Sequence, residues 1–128
     1  SNYDKNEVLR VLKPNGTFIV NQNGSDNLHE FLSMYMPFKM RGVWDMNSCA
    51  MTLADAGFEV VETKEDRGYI RFHNLRQIQT YFRKVAPEVA ENIPQYKSFY
   101  MHALDEIKQN TYFQLTTYRF LVVAKKNF

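Results

Sequence analysis

The segment Glu7–Asn21, reading EVLRVLKPNGTFIVN, restricts the possible folds more than any other part of the chain. Val8, Leu9 and Leu12 recur at helical spacing and give a helix one apolar face. Pro14 cannot continue that helix and disfavours helical backbone at Lys13. Asn15 and Gly16 are the two residue types that most readily take positive φ, so the chain can reverse there. Phe18, Ile19 and Val20 then form a short run of β-branched and aromatic residues, which suits a strand covered on both faces. The segment is therefore a helix, a stop and a buried strand.

The rest of the chain continues the alternation of helices and strands. Asp4 and Glu7 have capping-box spacing, so the first helix is expected over Lys5–Leu12 and the first strand over Thr17–Asn21. Gln22–Asn27 is a dense polar loop, followed by a helix over Leu28–Met36 that Asp26 or Asn27 could cap and Pro37 ends. Phe38–Val43 reads as a connector with Gly42 as its flexible point. A helix over Asn47–Ala56, capped by Asp45 or Asn47, presents Met46, Cys49, Ala50 and Leu53 and stops at Gly57. Phe58–Thr63 is strand-like, Lys64–Gly68 reads as a turn, and Tyr69–Phe72 as a return to extended chain. Asn74 and Gln77 repeat the capping spacing before a helix with Leu75, Ile78, Phe82 and Val85 on one face, ended by Pro87. A further helix from Pro94 or Gln95 to Lys108 carries Tyr96, Phe99, Tyr100, Ala103, Leu104 and Ile107 as its stripe. Tyr112–Lys125 is a long strand whose centre, Phe120–Ala124, is apolar on both faces and so belongs inside a sheet.

Three stretches carry a resemblance to a known family. Glu7-x-x-Arg10-Val11-Leu12-Lys13-Pro14-Asn15-Gly16-Thr17-Phe18-Ile19-Val20 resembles the entry into the fifth strand of class I S-adenosylmethionine-dependent methyltransferases of the type 11-like kind. Asn15 stands where those enzymes usually carry Gly, and Asn tolerates the same backbone region. Leu53–Val61 looks like the family's helix-to-sixth-strand junction, and Thr116–Lys126 like its closing strand. The resemblance spans nearly the whole chain but corresponds only to the carboxyl-terminal half of such an enzyme. It implies an α/β fold: a partial Rossmann-like methyltransferase sheet of strands five, seven and six with flanking helices. Residues 1–128 would form a single partial domain, with 74–110 a helical insertion before the last strand. In the family's strand order, 3-2-1-4-5-7-6, only strand seven is antiparallel, so Phe113–Lys125 should lie between Thr17–Asn21 and Phe58–Thr63.

Composition excludes several alternatives. With 16 basic and 14 acidic residues the formal charge is +2, and no Lys/Arg cluster exceeds a pair, so a phosphate-tracking nucleic-acid surface has no support. A single cysteine, Cys49, forms no internal disulfide and suits a reducing cytoplasmic location. No apolar run approaches the roughly 20 residues that span a bilayer. Ser1-Asn2 has the look of a cloning remnant, which would place residue 1 inside a longer protein.

By resemblance, the family grips its cofactor with a Gly-rich turn in its first half. The five glycines here, at positions 16, 24, 42, 57 and 68, are too far apart to build one. S-adenosylmethionine is thus expected to serve the parent enzyme, with none bound by this chain alone. Loops at the carboxyl ends of strands line the ligand crevice in open α/β sheets. That makes Asn21, Asn23 and His29 substrate-side candidates, with Arg71 and His73 expected near the inserted helices. Each has a plainer reading: turn and cap residues in the loop, a surface histidine at 29, a solvated or paired charge at 71, and a local hydrogen-bonding group at 73. The aromatic side chains of Tyr81, Phe82, Tyr96, Phe99 and Tyr100 could stack a flat or apolar acceptor, or simply pack two inserted helices together. The catalytic residue is unknown. His29, His73, His102 and Cys49 lack metal-ligand spacing, so no metal is expected. Cys49 reads as a small core residue.

The reading is the C-terminal portion of an S-adenosylmethionine-dependent methyltransferase acting on an unidentified acceptor, a small molecule being favoured, with the chain alone inactive. The alternative is a non-catalytic α/β module that self-associates, or pairs with a missing half, through the exposed strand at Thr17–Asn21.

Overall fold

The computed structural model describes residues 3–36 and 42–128. Helix α1 spans Lys5–Val11, and the Asp4 carboxylate accepts from the main-chain N–H groups of Asn6 and Glu7, as its spacing predicts. The reversal after it depends on Asn15 at φ 64° and on Gly16, where a Cβ would sit 2.8 Å from the Lys13 carbonyl oxygen. Strand β1 (Thr17–Asn23) follows, then α2 (His29–Tyr35), α3 (Met46–Ala56) and strand β2 (Glu59–Phe72). Helices α4 (Leu75–Val85), α5 (Pro87–Glu91) and α6 (Lys97–Asn110) precede strand β3 (Phe113–Lys125).

The three strands form one sheet in the order β1-β3-β2, with β3 antiparallel to both neighbours. Val122 of β3 pairs with Val20 on one side and Thr63 on the other, so the last strand is central, where the sequence placed it. Successive side chains of β3 point to opposite faces and supply two separate cores. On one face Tyr118, Phe120, Val122 and Ala124 pack with Val20, Cys49, Leu53 and Phe58 beneath α1 and α3. On the other, Phe113 and Leu115 join Phe72, Ile78, Phe82 and Phe99 beneath α4–α6 and the Phe31 ring of α2.

Several expectations change. Lys64–Gly68 is not a turn: β2 runs unbroken for 14 residues because long β3 continues to pair with it, Glu65 against Phe120 and Gly68 against Thr117. At this sheet margin the polar side chains project into solvent without penalty, and their charges discourage further pairing. A bulge at Val61 also reverses the alternation, leaving that valine 51% exposed. Neither Asp26 nor Asn27 caps α2. Leu28, in left-handed backbone at φ 54°, holds that position, while Asp26 pairs with Arg67 and Asn27 with the Tyr118 amide. The helix expected from Pro94 or Gln95 starts at Lys97, and Pro87 opens the short α5 in addition to ending α4. β1 is covered on one face only: Val20 is buried, but Ile19 is 58% exposed because no described helix lies over it. Pro37 and the Phe38–Arg41 part of the connector lie outside the described residues. The Asn47–Ala56 helix holds closely: Asp45 caps it, accepting from the Ser48 N–H at 2.8 Å, and Gly57 stops it at φ 113°.

Candidate functional site

The carboxyl end of β1 is locked to β3 by main-chain geometry. Gly24 donates to the Tyr118 carbonyl, the Asn27 side chain accepts from the Tyr118 N–H at 2.9 Å, and Leu28 donates to the Thr116 carbonyl. This loop delivers α2 so that Phe31 packs among helices α4–α6, with ring centroids 4.8 Å from Phe99, 5.1 Å from Phe82 and 5.7 Å from Tyr96. The Tyr35 hydroxyl accepts from the Phe99 N–H at 3.0 Å, fixing α2 against the start of α6. Tyr100 donates to the Val89 carbonyl at 2.8 Å and ties α6 to α5.

Between that loop and the helices lies a cleft of about 530 Å³. Its aromatic wall comprises Phe31, Tyr35, Tyr81, Phe82 and Tyr96; its polar side has Asn23, Asn27, Thr117 and Arg119 from the sheet and loop, and the Glu88 carboxylate from α5. Burial raises the Tyr81 hydroxyl above the ordinary tyrosine range, so it stays protonated and able to donate at neutral pH. Arg119 reaches the cleft from the centre of the sheet, steadied by Asn21, whose side-chain oxygen accepts from Nη2 at 3.1 Å. An aromatic wall facing a short row of amide, hydroxyl and guanidinium groups suits a small ligand with an apolar body and a polar end.

The candidates therefore divide. Asn23 lines the cleft, and Asn21 stands behind Arg119. His29 faces elsewhere: its Nε2 lies 3.2 Å from the Thr116 hydroxyl and 3.4 Å from the Glu30 carboxylate, on an exposed edge. Arg71 and His73 meet in a second hollow beside α4. The aromatic residues divide too. Phe82 and Phe99 are fully buried core, whereas Tyr81 and Tyr96 are partly exposed at the cleft. Arg119, Asn27 and Thr117 were missed. A lone arginine within the apolar closing strand was the available signal for the first.

Gly24, the glycine that follows β1, offers no open surface for a ligand, because the Tyr118 ring fills the space its missing side chain leaves. The described residues thus hold no glycine cradle at this strand end that fits a nucleoside-bearing methyl donor. Among them, no group of three or more His, Cys, Asp or Glu side chains could hold a metal ion, and no helix is long and apolar enough to cross a membrane.

This architecture is a methyltransferase-like mixed α/β fold. A solved structure of similar fold is that of a putative methyltransferase from Bacillus halodurans C-125, which matches 97% of this chain with TM-score 0.60 and 14% sequence identity. The likeness is one of fold, and the chain spans 57% of that protein's length. No protein-family model matches the sequence, and no curated protein does either.

Proposed function

We propose that the chain is the carboxyl-terminal portion of an S-adenosylmethionine-dependent methyltransferase and supplies its acceptor side. The observation that carries this reading is the sheet order β1-β3-β2, with one antiparallel strand between two parallel ones and an aromatic cleft at the carboxyl end of β1. In this reading the sheet is the five-seven-six part of a Rossmann-like methyltransferase sheet, and 74–110 is the insertion that roofs the cleft.

Methyl transfer asks mainly that a nucleophile be held in line and kept from water. The residues present match that role. Tyr81, Tyr96 and Phe31 would enclose an aromatic or apolar small molecule, while Asn23, Asn27, Thr117 and Arg119 orient its polar end. S-adenosylmethionine would supply the electrophilic methyl group from a part of the parent protein outside this chain, so the chain alone is inactive. A cytoplasmic setting accords with the single reduced cysteine, Cys49, buried in the core.

The test is calorimetric titration of S-adenosylmethionine into the longest natural product of the gene and into this chain, followed by an acceptor screen. Micromolar binding by the former alone, with turnover of an aromatic small molecule, is the expected result. Micromolar binding to the 128-residue chain, or failure of the longer product to bind, overturns the reading. One observation favours a second reading, a non-catalytic module acting by association: among the described residues, nothing pairs with the outer edge of β1.

A further inference from the structure

Where β2 ends and α4 begins, a second hollow of about 380 Å³ is lined by Arg71, Phe72, His73, Arg76, Gln77 and Thr80. Phe72 is buried and forms the floor. Arg71, Arg76, Gln77 and Thr80 can donate hydrogen bonds into it, and no carboxylate lines the space. Arg71 is held by neutral groups: its Nε donates to the Gln114 side-chain oxygen at 3.0 Å, and its guanidinium lies 4.2 Å from the Tyr112 ring centroid and 4.8 Å from that of Tyr69. Its orientation is fixed while its charge stays uncompensated. Arg76, exposed on the first turn of α4, makes no ion pair among the described residues. Gln77 accepts the His73 main-chain N–H on its oxygen at 2.7 Å, which leaves its amide NH₂ to donate. His73 turns Nδ1 to the Thr111 carbonyl at 3.1 Å, a pure acceptor, so that nitrogen carries a proton and the ring is held at the rim.

We propose that this hollow binds the phosphate group of a small molecule. Two uncompensated guanidiniums with amide and hydroxyl donors beside them match a dianion better than a single carboxylate. The near-balanced charge of the chain, with 16 basic and 14 acidic residues, argues for a discrete anion and against a nucleic-acid backbone. The site is separate from the aromatic cleft and does not depend on the methyl-transfer reading.

Amide NMR titration of the chain at constant ionic strength tests it, with inorganic phosphate and glycerol 3-phosphate as probes and chloride and acetate as controls. The expected result is saturable shifts confined to residues 71–80 and 112–114, given by both phosphates and by neither control. Tighter binding of the ester identifies a phosphorylated metabolite as the natural source; equal binding identifies free phosphate. Arg76→Gln, which removes no contact from the fold, should weaken binding about tenfold or more. Arg10→Gln, whose guanidinium is already paired with Glu7 on α1, should leave it unchanged. Shifts that follow chloride equally, that spread over the whole chain, or that persist undiminished in Arg76→Gln overturn the assignment.

Discussion

A Cβ built on Gly24 would lie 2.2 Å from Cε2 of Tyr118, so the glycine and the ring occupy adjoining space with none to spare. Tyr118 is fully buried, donates its hydroxyl to Glu65 at 2.8 Å and accepts there from the Met46 N–H at 3.0 Å, while the Arg67 guanidinium covers its face at 3.7 Å. One side chain thus joins the end of β1, the start of α3 and the middle of β2. Asn27, the cleft residue contributed by the loop after β1, rests on that junction through its bond to the Tyr118 N–H.

Gly24→Ala should therefore destabilise the chain by about 3 kcal/mol, the upper end of ordinary overpacking, because the obstructing atoms are a ring held from both sides. That corresponds to a fall of roughly 10 °C in melting temperature for a domain of this size. Thermal unfolding followed by circular dichroism checks it. A loss below about 1 kcal/mol would mean the ring can retreat.

Tyr118→Phe keeps the packing and removes the hydroxyl. It leaves the Met46 N–H without its acceptor at this point and frees the Glu65 carboxylate, which should cost about 1–2 kcal/mol. Urea midpoints of the wild type and the variant, at equal slope, give the difference directly.

How far these features could be read in advance depended on their range. The Asp45 and Gly57 caps of α3 act within a few residues, so their residue types announce them. The extended course of Lys64–Gly68 does not follow from its own residues, which are turn formers. It follows from a ladder with Gly68 opposite Thr117, 49 positions away in the chain. Leu28 in left-handed backbone opposes local propensity and is sustained by its bond to the Thr116 carbonyl. Arg119 becomes a cleft residue only through strand register, which sets it opposite Asn23 and next to the Asn21 side chain. Asn23 was accessible because it sits at the carboxyl end of a recognisable strand. His29, equally near in sequence, lies on the first turn of α2 with its ring turned to Thr116 and Glu30 and away from the cleft.

Alkaline pH should unfold the chain earlier than its net charge suggests. Tyr118, Tyr81 and Tyr100 all have hydroxyls raised above the ordinary value, each chiefly by burial. A folded-state value above the unfolded one means that the folded chain holds its protons more tightly. The associated stability is complete below the unfolded value of about 10 and is lost as pH rises through the folded values. Urea midpoints should be level to about pH 8. They should then decline slightly as Cys49, whose thiol is also pushed up by burial, titrates in the unfolded chain. Beyond about pH 10 they should fall more steeply, less so in Tyr118→Phe. A profile that stays level to about pH 11 contradicts the burial described for these hydroxyls.

The cleft makes a separate prediction for Arg119. It is exposed and has no carboxylate within ion-pair distance among the described residues, so Arg119→Gln should change stability by less than about 0.5 kcal/mol. Binding of an aromatic anion such as anilinonaphthalene sulfonate should weaken roughly tenfold, since a charge-assisted hydrogen bond is lost. Fluorescence titration of both proteins measures it. Equal affinity would remove Arg119 from the recognition of the ligand's polar end.

The two margins of the sheet differ in a way that bears on association. β2 carries Glu62, Lys64, Glu65, Asp66 and Arg67 along its length, and such charges repel a further strand. β1 carries none: Thr17, Phe18, Ile19, Val20, Asn21, Gln22 and Asn23 are all uncharged, and no proline interrupts them. If a second copy pairs antiparallel about Val20, Thr17 meets Asn23, Phe18 meets Gln22 and Ile19 meets Asn21, so no like charges oppose each other. The exposed Ile19 side chains of both copies then join one face. Light scattering should accordingly show dimer growing with concentration, and Ile19→Lys should return the chain to monomer by placing a charge in that register. The substitution is at an exposed position, so its cost to the monomer is within about 0.5 kcal/mol and unfolding does not confuse the result. A wild-type chain that stays monomeric at millimolar concentration excludes this edge as a self-association surface. Under the proposed function, β1 is then left as the site for a strand supplied by the rest of the enzyme.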